Sequence, residues 1–417
     1  MNPATPTACA ADLSTAPGRG FPPTAGDAAA ALAVLSPPPT NVLTKAGEQR
    51  TTKVNVFRKP GGDLLAKLRF GIVGAGGIAH AHARALRGLG DMAELVSACD
   101  AIPAAAEKFA QEFGIATYGG EDALQRMLAR QDIDAVSLAT PSGLHYAQAG
   151  QAMRAGKHVL TEKPMAITLE QADEMIAAQA ETGKTLGCVF QQRFHPAAVI
   201  VKQAIDDGRF GRILHANAYL KWHRTQEYYD AGGWRGTWRM DGGGSLMNQS
   251  VHYIDLMQWL AGGVAAVKGY TGTINHRIET EDVGVAAVRL SSGGFGAIEG
   301  MTNNLANTYD RVEVYGTDGM AVIEGGQLVT YFTRAEEIRP TAENAKPSRN
   351  LAPQVVEDFR AKHPGWRTGH PAVFAAYIEA VLAGKEPPVG GREGRKAVQI
   401  ILSIYRSARE NREVAIG

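Results

Sequence analysis

Short apolar runs alternate with amphipathic stretches through the chain from about residue 67 to residue 190. Leu68-Arg69-Phe70-Gly71-Ile72-Val73 reads as a buried strand ending in Gly74-Ala75-Gly76-Gly77-Ile78-Ala79. A helix is expected from about Ile78 to Leu89, a strand over Glu94–Cys99 ending at Asp100, and a helix from about Ala104 to Phe113. The apolar strand Ala135–Ala139, a helix over His145–Ala155 and the strand His158–Leu160 continue the alternation. A helix over Leu169–Thr182 and a strand over Thr185–Phe190 close it. Strands alternating with helices of this length predict an α/β fold whose first domain, 67–190, is a parallel, doubly wound sheet.

The pattern then changes. Ile213–Lys221, Ala265–Ile274, Val283–Leu290, Gly294–Met301, Val312–Tyr315 and Met320–Glu324 read as strands with few intervening helices. That predicts a large, mostly antiparallel sheet in a second α/β domain, 191–417. Pro340 to Trp366 reads as a surface insertion, and Pro371 to Asn411 as helices packing back on the body. Residues 1–66 are rich in Ala, Pro and Thr; their one apolar stretch, Ala28–Leu35, is short, and Arg19 is the first cationic side chain. A disordered extension or a start called too early is expected there, not a signal peptide.

Composition narrows the function. The 417 residues suffice for two cored domains, and 43 Lys+Arg against 42 Asp+Glu leave no electrostatic footprint for nucleic acid or an anionic membrane. No apolar run approaches the roughly 20 residues that span a bilayer. Cys9, Cys99 and Cys188 have no paired spacing, so neither a metal site nor a disulfide framework is expected. A reducing cytoplasm is the expected location. With 48 glycines, a glycine motif carries weight only in context.

The first glycine loop has that context, between a buried strand and a helix. Gly74 permits the tight turn, Gly76 lets backbone approach a pyrophosphate, and Ala79 supplies the small third position. Gly77 and Ile78 open the helix, whose N-terminus favours phosphate. Asp100, at the end of the second strand, is placed to accept the ribose hydroxyls and repel a 2′-phosphate. No arginine follows it immediately, so NAD is expected rather than NADP. Thr140-Pro141-Ser142-Gly143-Leu144-His145 follows the next buried strand, where Thr140 and Pro141 can border the cofactor and His145 can reach the nicotinamide ribose. Glu162-Lys163-Pro164 follows a further strand. Burial near a cationic nicotinamide lowers a lysine pKa, and a lysine that stays charged polarises the reacting oxygen. A surface ion pair between Lys163 and Glu162 is the plainer alternative.

A second cluster lies downstream. Asp241-Gly242-Gly243-Gly244-Ser245 leads into a helix with Ser245 as expected N-cap. Asn248, His252, Asp255 and Trp259 recur at helical spacing as one polar stripe among apolar residues, as a cavity lining or an internal network requires. Upstream, Tyr228, Tyr229, Trp234, Arg235 and Trp238 form an aromatic and basic stretch suited to a sugar face or, equally, to core packing, with Arg235 able to fork onto a carboxylate or phosphate.

From about Lys67 to the C-terminus the chain resembles the glucose–fructose oxidoreductase / inositol dehydrogenase / rhizopine catabolism (Gfo/Idh/MocA) family. The resemblance rests on Glu162-Lys163-Pro164 and on the glycine-led helix ending His252-Tyr253-Ile254-Asp255. It implies an N-terminal Rossmann domain, a C-terminal α/β domain with an open sheet that mediates homodimers or homotetramers, and oxidation of a secondary hydroxyl of a sugar, polyol or derivative with NAD(P). It further implies Lys163 and His252 as the catalytic pair and Gln191, Gln192 and Arg193 as a segment reaching cofactor or substrate. Arg235, Trp238, Asn248 and Asp255 join Lys163 and His252 as candidate substrate contacts, and His370 is a possible pocket residue. Asn248 departs from the aspartate found in many members four residues before the histidine, so it orients groups rather than relaying a proton. Two other readings remain: an NAD-retaining glycosidase or lyase working by transient oxidation, and a ligand-sensing regulator.

Overall fold

The computed structural model describes residues 67–334 and 349–417, so the expectations for 1–66 and for 340–348 of the insertion fall outside the described residues. The first half alternates as the pattern requires: β1 (Leu68–Val73), α1 (Gly77–Gly88), β2 (Ala93–Asp100) and α2 (Pro103–Phe113) come first. β3 (Ala116–Gly119) and α3 (Ala123–Leu128) follow; both are short and neither was expected. Next are β4 (Ala135–Leu138), α4 (His145–Arg154), β5 (His158–Thr161), α5 (Leu169–Thr182) and β6 (Leu186–Cys188). The six strands order as β3-β2-β1-β4-β5-β6, all parallel, with a reversal between β1 and β4. Ligands of open α/β sheets bind at such a reversal, outside the carboxyl ends of the strands. Register brings the candidate loops to that edge: Val73 lies beside Cys99 and Leu138, and Leu138 beside Thr161.

The second half adds α6 (Pro196–Asp206), β7 (Ile213–Lys221), α7 (Gln226–Asp230), α8 (Val251–Ala261) and β8 (Val264–Gly272). Then come β9 (Val283–Leu290), β10 (Phe295–Met301), β11 (Tyr309–Gly316), β12 (Gly319–Glu324) and β13 (Gln327–Thr333). α9 (Ala352–Lys362), α10 (Gly369–Leu382), α11 (Gly391–Glu410) and β14 (Val414–Ala415) end the chain. The eight-stranded sheet runs β13-β12-β11-β7-β10-β9-β8-β14; β7 and β10 are parallel and every other pair is antiparallel. Burial alternates along β9, so one face is covered and the other open, whereas β4 is buried throughout.

Two packing features differ from expectation. The segment read as an insertion holds α9, which packs on α6 and β13, and Trp366 Nε1 donates to the Phe194 carbonyl (2.9 Å). The C-terminal helices also belong to both halves. α10 lies on α1, with Phe374 edge-on to Phe70 at 5.7 Å, while α11 spans β8, α5 and β6. The cut at 190 is therefore not a cut in the packing.

Candidate active site

Backbone geometry prepares the glycine loop. Gly74 has φ +96°, and an added Cβ would lie 2.8 Å from the Ala139 carbonyl oxygen, so glycine is required there. Gly76 and Gly77 are exposed at the start of α1, and a Cβ on either would meet nothing within 4 Å. Ile78 is also exposed, while Ala79 is fully buried against the sheet. Asp100 braces this turn: its carboxylate accepts from the Ala75 N–H (2.7 Å) and the Ile102 N–H (2.8 Å). Each oxygen keeps a lone pair for a further donor. Open space over a helix N-terminus, with a carboxylate at the end of β2, fits the pyrophosphate and ribose of a dinucleotide. Gln191, in the single helical turn Gln191–Phe194, adds a buried side-chain oxygen without a partner, as a ligand contact would leave it.

Other expected cofactor residues are turned inward. Thr140 Oγ1 donates to Gln148 Oε1 (2.6 Å), and Pro141 leads into the turn Ser142–Leu144. His145 is buried, with both ring nitrogens 2.9 Å from carbonyl oxygens, those of Pro164 and Thr140. It ties two loops together rather than facing the open edge. Burial lowers its pKa although both carbonyls favour the charged ring. Glu162 is also buried. Its carboxylate accepts from His82 Nε2 (2.9 Å), His370 Nε2 (3.3 Å) and the Lys163 N–H (3.1 Å). Burial alone would raise its pKa, but the bonds from His370 and His82 hold it well below the usual carboxylate range. The alternative of a surface pair between the Lys163 and Glu162 side chains gives way to a buried histidine clamp that also takes up His370.

Arg193 and Asp255 are likewise not free to meet a ligand. Arg193 forks onto Asp255 (2.7 and 2.6 Å), bonds Glu393 (2.9 Å) and lies over Trp259, 5.2 Å from the ring centroid. Both residues are buried, which makes the pair an internal strut.

The remaining candidates converge at the start of α8. Ser245 is not its side-chain cap. Residues Ser245–Ser250 form a π-helical turn, and the buried Glu281 carboxylate caps it by accepting from Gly244 N–H (3.0 Å) and Leu246 N–H (2.8 Å). An added Cβ at Gly244 would run into the Glu281 carbonyl. Burial pushes Glu281 up to about 7, against those two N–H bonds. A π turn breaks the i→i+4 ladder and is often found at functional sites. Here the Asn248 carbonyl accepts from Lys163 Nζ (2.9 Å). The polar stripe therefore splits: Asn248 and His252 stay with Lys163, while Asp255 and Trp259 go to Arg193.

Asn248 is held from both sides. Its amide donates to Asp241 Oδ1, and its oxygen accepts from Gln249 Nε2 (2.7 Å). Asp241, not expected as a site residue, is buried, accepts from the Gly236 N–H (2.9 Å) and is pushed up to about 6 by burial. His252 packs edge-on to Phe190 at 6.0 Å, and its buried Nδ1 has no partner. Burial, then the Lys163 charge, depresses His252 to about 3. Lys163 is itself lowered by burial, with Glu162 and Asp241 opposing. The outcome is a neutral imidazole that feels the Lys163 amine, while that amine donates to the Asn248 carbonyl.

Beyond Gln249 lie the aromatic residues. Arg224 donates to Gln249 Oε1 (2.7 Å), Gln249 Nε2 donates to the Tyr228 hydroxyl (3.0 Å), and Arg235 lies over Tyr228 and Trp234. Trp238 is 45% exposed and edge-on to Tyr405. Arg224 and Gln249 were missed in the sequence because each reaches the site through a fold-dependent contact, and Asp241, read only as the lead into the glycine run, joins through its contact with Asn248.

Two family models match: residues 68–190 match an oxidoreductase family with an NAD-binding Rossmann fold, and residues 199–322 match the GFO/IDH/MocA C-terminal domain. The chain is 27% identical to inositol 2-dehydrogenase of Rhizobium meliloti over 84% of this chain and 99% of that protein. It is 32% identical to 1,5-anhydro-D-fructose reductase of Ensifer adhaerens, over 82% of this chain and 96% of the relative. Among solved structures, the WlbA dehydrogenase from Bordetella pertussis, in complex with NADH and UDP-GlcNAcA, superposes with a TM-score of 0.75. The two are 36% identical, over 84% of this chain and 98% of the other.

Proposed function

This chain belongs to the GFO/IDH/MocA family of oxidoreductases, and we propose that it is an NAD-dependent dehydrogenase oxidising a secondary hydroxyl of a sugar, polyol or sugar derivative. The reading is carried by Lys163, whose Nζ donates to the Asn248 carbonyl, together with a neutral His252 whose buried Nδ1 has no partner. NAD, when bound, supplies the hydride acceptor. Gly74, Gly76, Gly77, Ile78 and Ala79 would hold its pyrophosphate, Asp100 its ribose, and Gln191 would meet it from the second half.

Lys163, fixed by the Asn248 carbonyl, donates to the substrate oxygen and stabilises negative charge on it. His252 takes the hydroxyl proton. A weak base suffices, because a hydroxyl on a carbon losing hydride becomes far more acidic than an alcohol. Asn248 keeps one N–H and one lone pair for a neighbouring hydroxyl, and Asp241 fixes its orientation. Glu162, clamped by His82 and His370, holds the Lys163 backbone.

Replacing Lys163 with Met tests this. Turnover should fall by about a hundredfold or more, with NAD affinity within about twofold of the parent; unchanged turnover would remove Lys163 from the chemistry. We also place the enzyme in the cytoplasm, which suits the buried free thiols Cys99 and Cys188, and propose a homodimer or homotetramer formed through the open sheet face. Among the described residues no helix is long and apolar enough to cross a membrane.

A further inference from the structure

The guanidinium groups of Arg224 and Arg235 share one ring. Arg224 lies over Trp222 and Tyr228, 5.0 and 5.2 Å from their centroids, and Arg235 over Tyr228 and Trp234, 4.7 and 4.9 Å. Two cations on one tyrosine can be no more than about 10 Å apart. Several other arginines are neutralised: Arg193 by Asp255 and Glu393, Arg311 by Glu313 and Glu324, Arg395 by Asp173. Among the described residues neither Arg224 nor Arg235 has a carboxylate at ion-pair distance. Their hydrogen bonds go to neutral acceptors: His223 O (2.9 Å) and Gln249 Oε1 (2.7 Å) for Arg224, Ala231 O (2.9 Å) for Arg235. The Arg224 Nε is buried without any partner. Asp241, the acid whose field Arg235 feels, already accepts from Gly236 and Asn248.

Two like charges on one ring favour an anion beside them. The pair abuts the reaction centre, because Gln249 bonds Arg224, Tyr228 and the Asn248 side chain together. A neighbouring cleft of about 440 Å³ lacks this character, since Asp230 and Glu279 line it together with Arg235 and Arg277.

We propose that Arg224 and Arg235, on the aromatic shelf of Trp222, Tyr228 and Trp234, form an anion subsite, and that the substrate is a sugar bearing a carboxylate or phosphate. The location rests on the dehydrogenase reading; the subsite itself does not. Guanidinium forks suit both anions, and the aromatic faces suit the C–H face of a sugar ring. Lys163 and His252 would then act on a hydroxyl of the same anionic sugar, and the subsite would set which sugar is accepted.

Calorimetric titration of the NADH-loaded protein tests this without requiring turnover. The probes are matched pairs: glucose and glucuronate, glucose and glucose 6-phosphate, UDP-glucose and UDP-glucuronate. At least one anionic member should bind about tenfold or more tighter than its neutral or less charged partner, as a charge-assisted bond to a guanidinium gives. A preference in the glucuronate pairs identifies a carboxylate, and one confined to glucose 6-phosphate a phosphate. Arg224→Met and Arg235→Met should each reduce that preference by about tenfold while NADH binding is kept, and Arg224→Lys should restore part of it. Equal affinity within every pair, or a preference that survives both substitutions, overturns the subsite. Anion-selective binding without NADH formation in any assay would leave the subsite standing and remove the dehydrogenase reading instead.

Discussion

His252 is held neutral by its surroundings, and that has a measurable consequence for stability. Its folded pKa, about 3, lies below the ordinary 6.5. Between those values the unfolded chain binds the extra proton, so the stability due to the neutral ring is full above about pH 6.5 and is lost as pH falls toward 3. The span corresponds to at most ~5 kcal/mol. His252→Gln should therefore flatten the fall in Tm between pH 7 and pH 4; an identical fall in parent and variant would refute the buried, neutral assignment. Asp241 has the opposite sign. Its carboxyl is raised to about 6, so its ionisation destabilises the fold as pH rises from about 4 through 6. Relative to the parent, Asp241→Asn should be more stable at pH 8 than at pH 5, a comparison thermal melts provide, even as turnover drops. At this scale Lys163, His252 and Asn248 stood out as candidates because each sits in a short motif. Arg193 and Asp255 pair with each other across 62 residues, a partnership no local pattern records.

The helix that carries the site was legible as a helix but not as two. The apolar periodicity over Leu246–Leu260 is the same for an α-helix and for one opened by a π turn, and the cap, Glu281, comes from a distant loop. Removing it strands two buried N–H groups. Glu281→Ala should destabilise by about 2–4 kcal/mol, seen as a lower denaturant midpoint, and should loosen Lys163 by moving the Asn248 carbonyl. The Arg193–Asp255 strut makes a sharper distinction. Arg193→Met leaves a buried carboxylate unpaired and should cost about 3–5 kcal/mol. The double substitution with Asp255→Leu should recover much of that loss. NAD affinity should survive in the recovered protein; its loss there would return Arg193 to the cofactor site. β1, α5, β7 and β9 matched their expected limits because burial on one or both faces writes a clean pattern. β3, β13 and α9 were missed because short or partly exposed elements write a weak one.

At the level of the whole molecule, the fold class was legible from the switch between strand–helix alternation and a run of strands. The return of α10 and α11 across both sheets was not, since a helix's partner lies outside its own sequence. The open face of the large sheet offers a further test. Tyr270 and Val285 are paired across β8 and β9, and Phe295 lies on the same face of β10; they are 65%, 39% and 58% exposed. Apolar side chains gathered on one open face suit contact with another copy. Tyr270→Glu with Phe295→Glu should shift the protein toward monomer in sedimentation velocity, and a monomeric parent would remove the proposed assembly.

Lys163 and His252 are proposed to support hydride transfer from a sugar carbinol carbon to NAD. The most direct measurement uses the sugar that gives NADH, labelled with deuterium at the oxidised carbon, and follows the label by NMR. The expected result is deuterium at nicotinamide C4 in one stereochemical sense, with formation slowed about a hundredfold or more in Lys163→Met. Oxidised product carrying no label into NADH, or labelling at parent rate in Lys163→Met, would contradict the account.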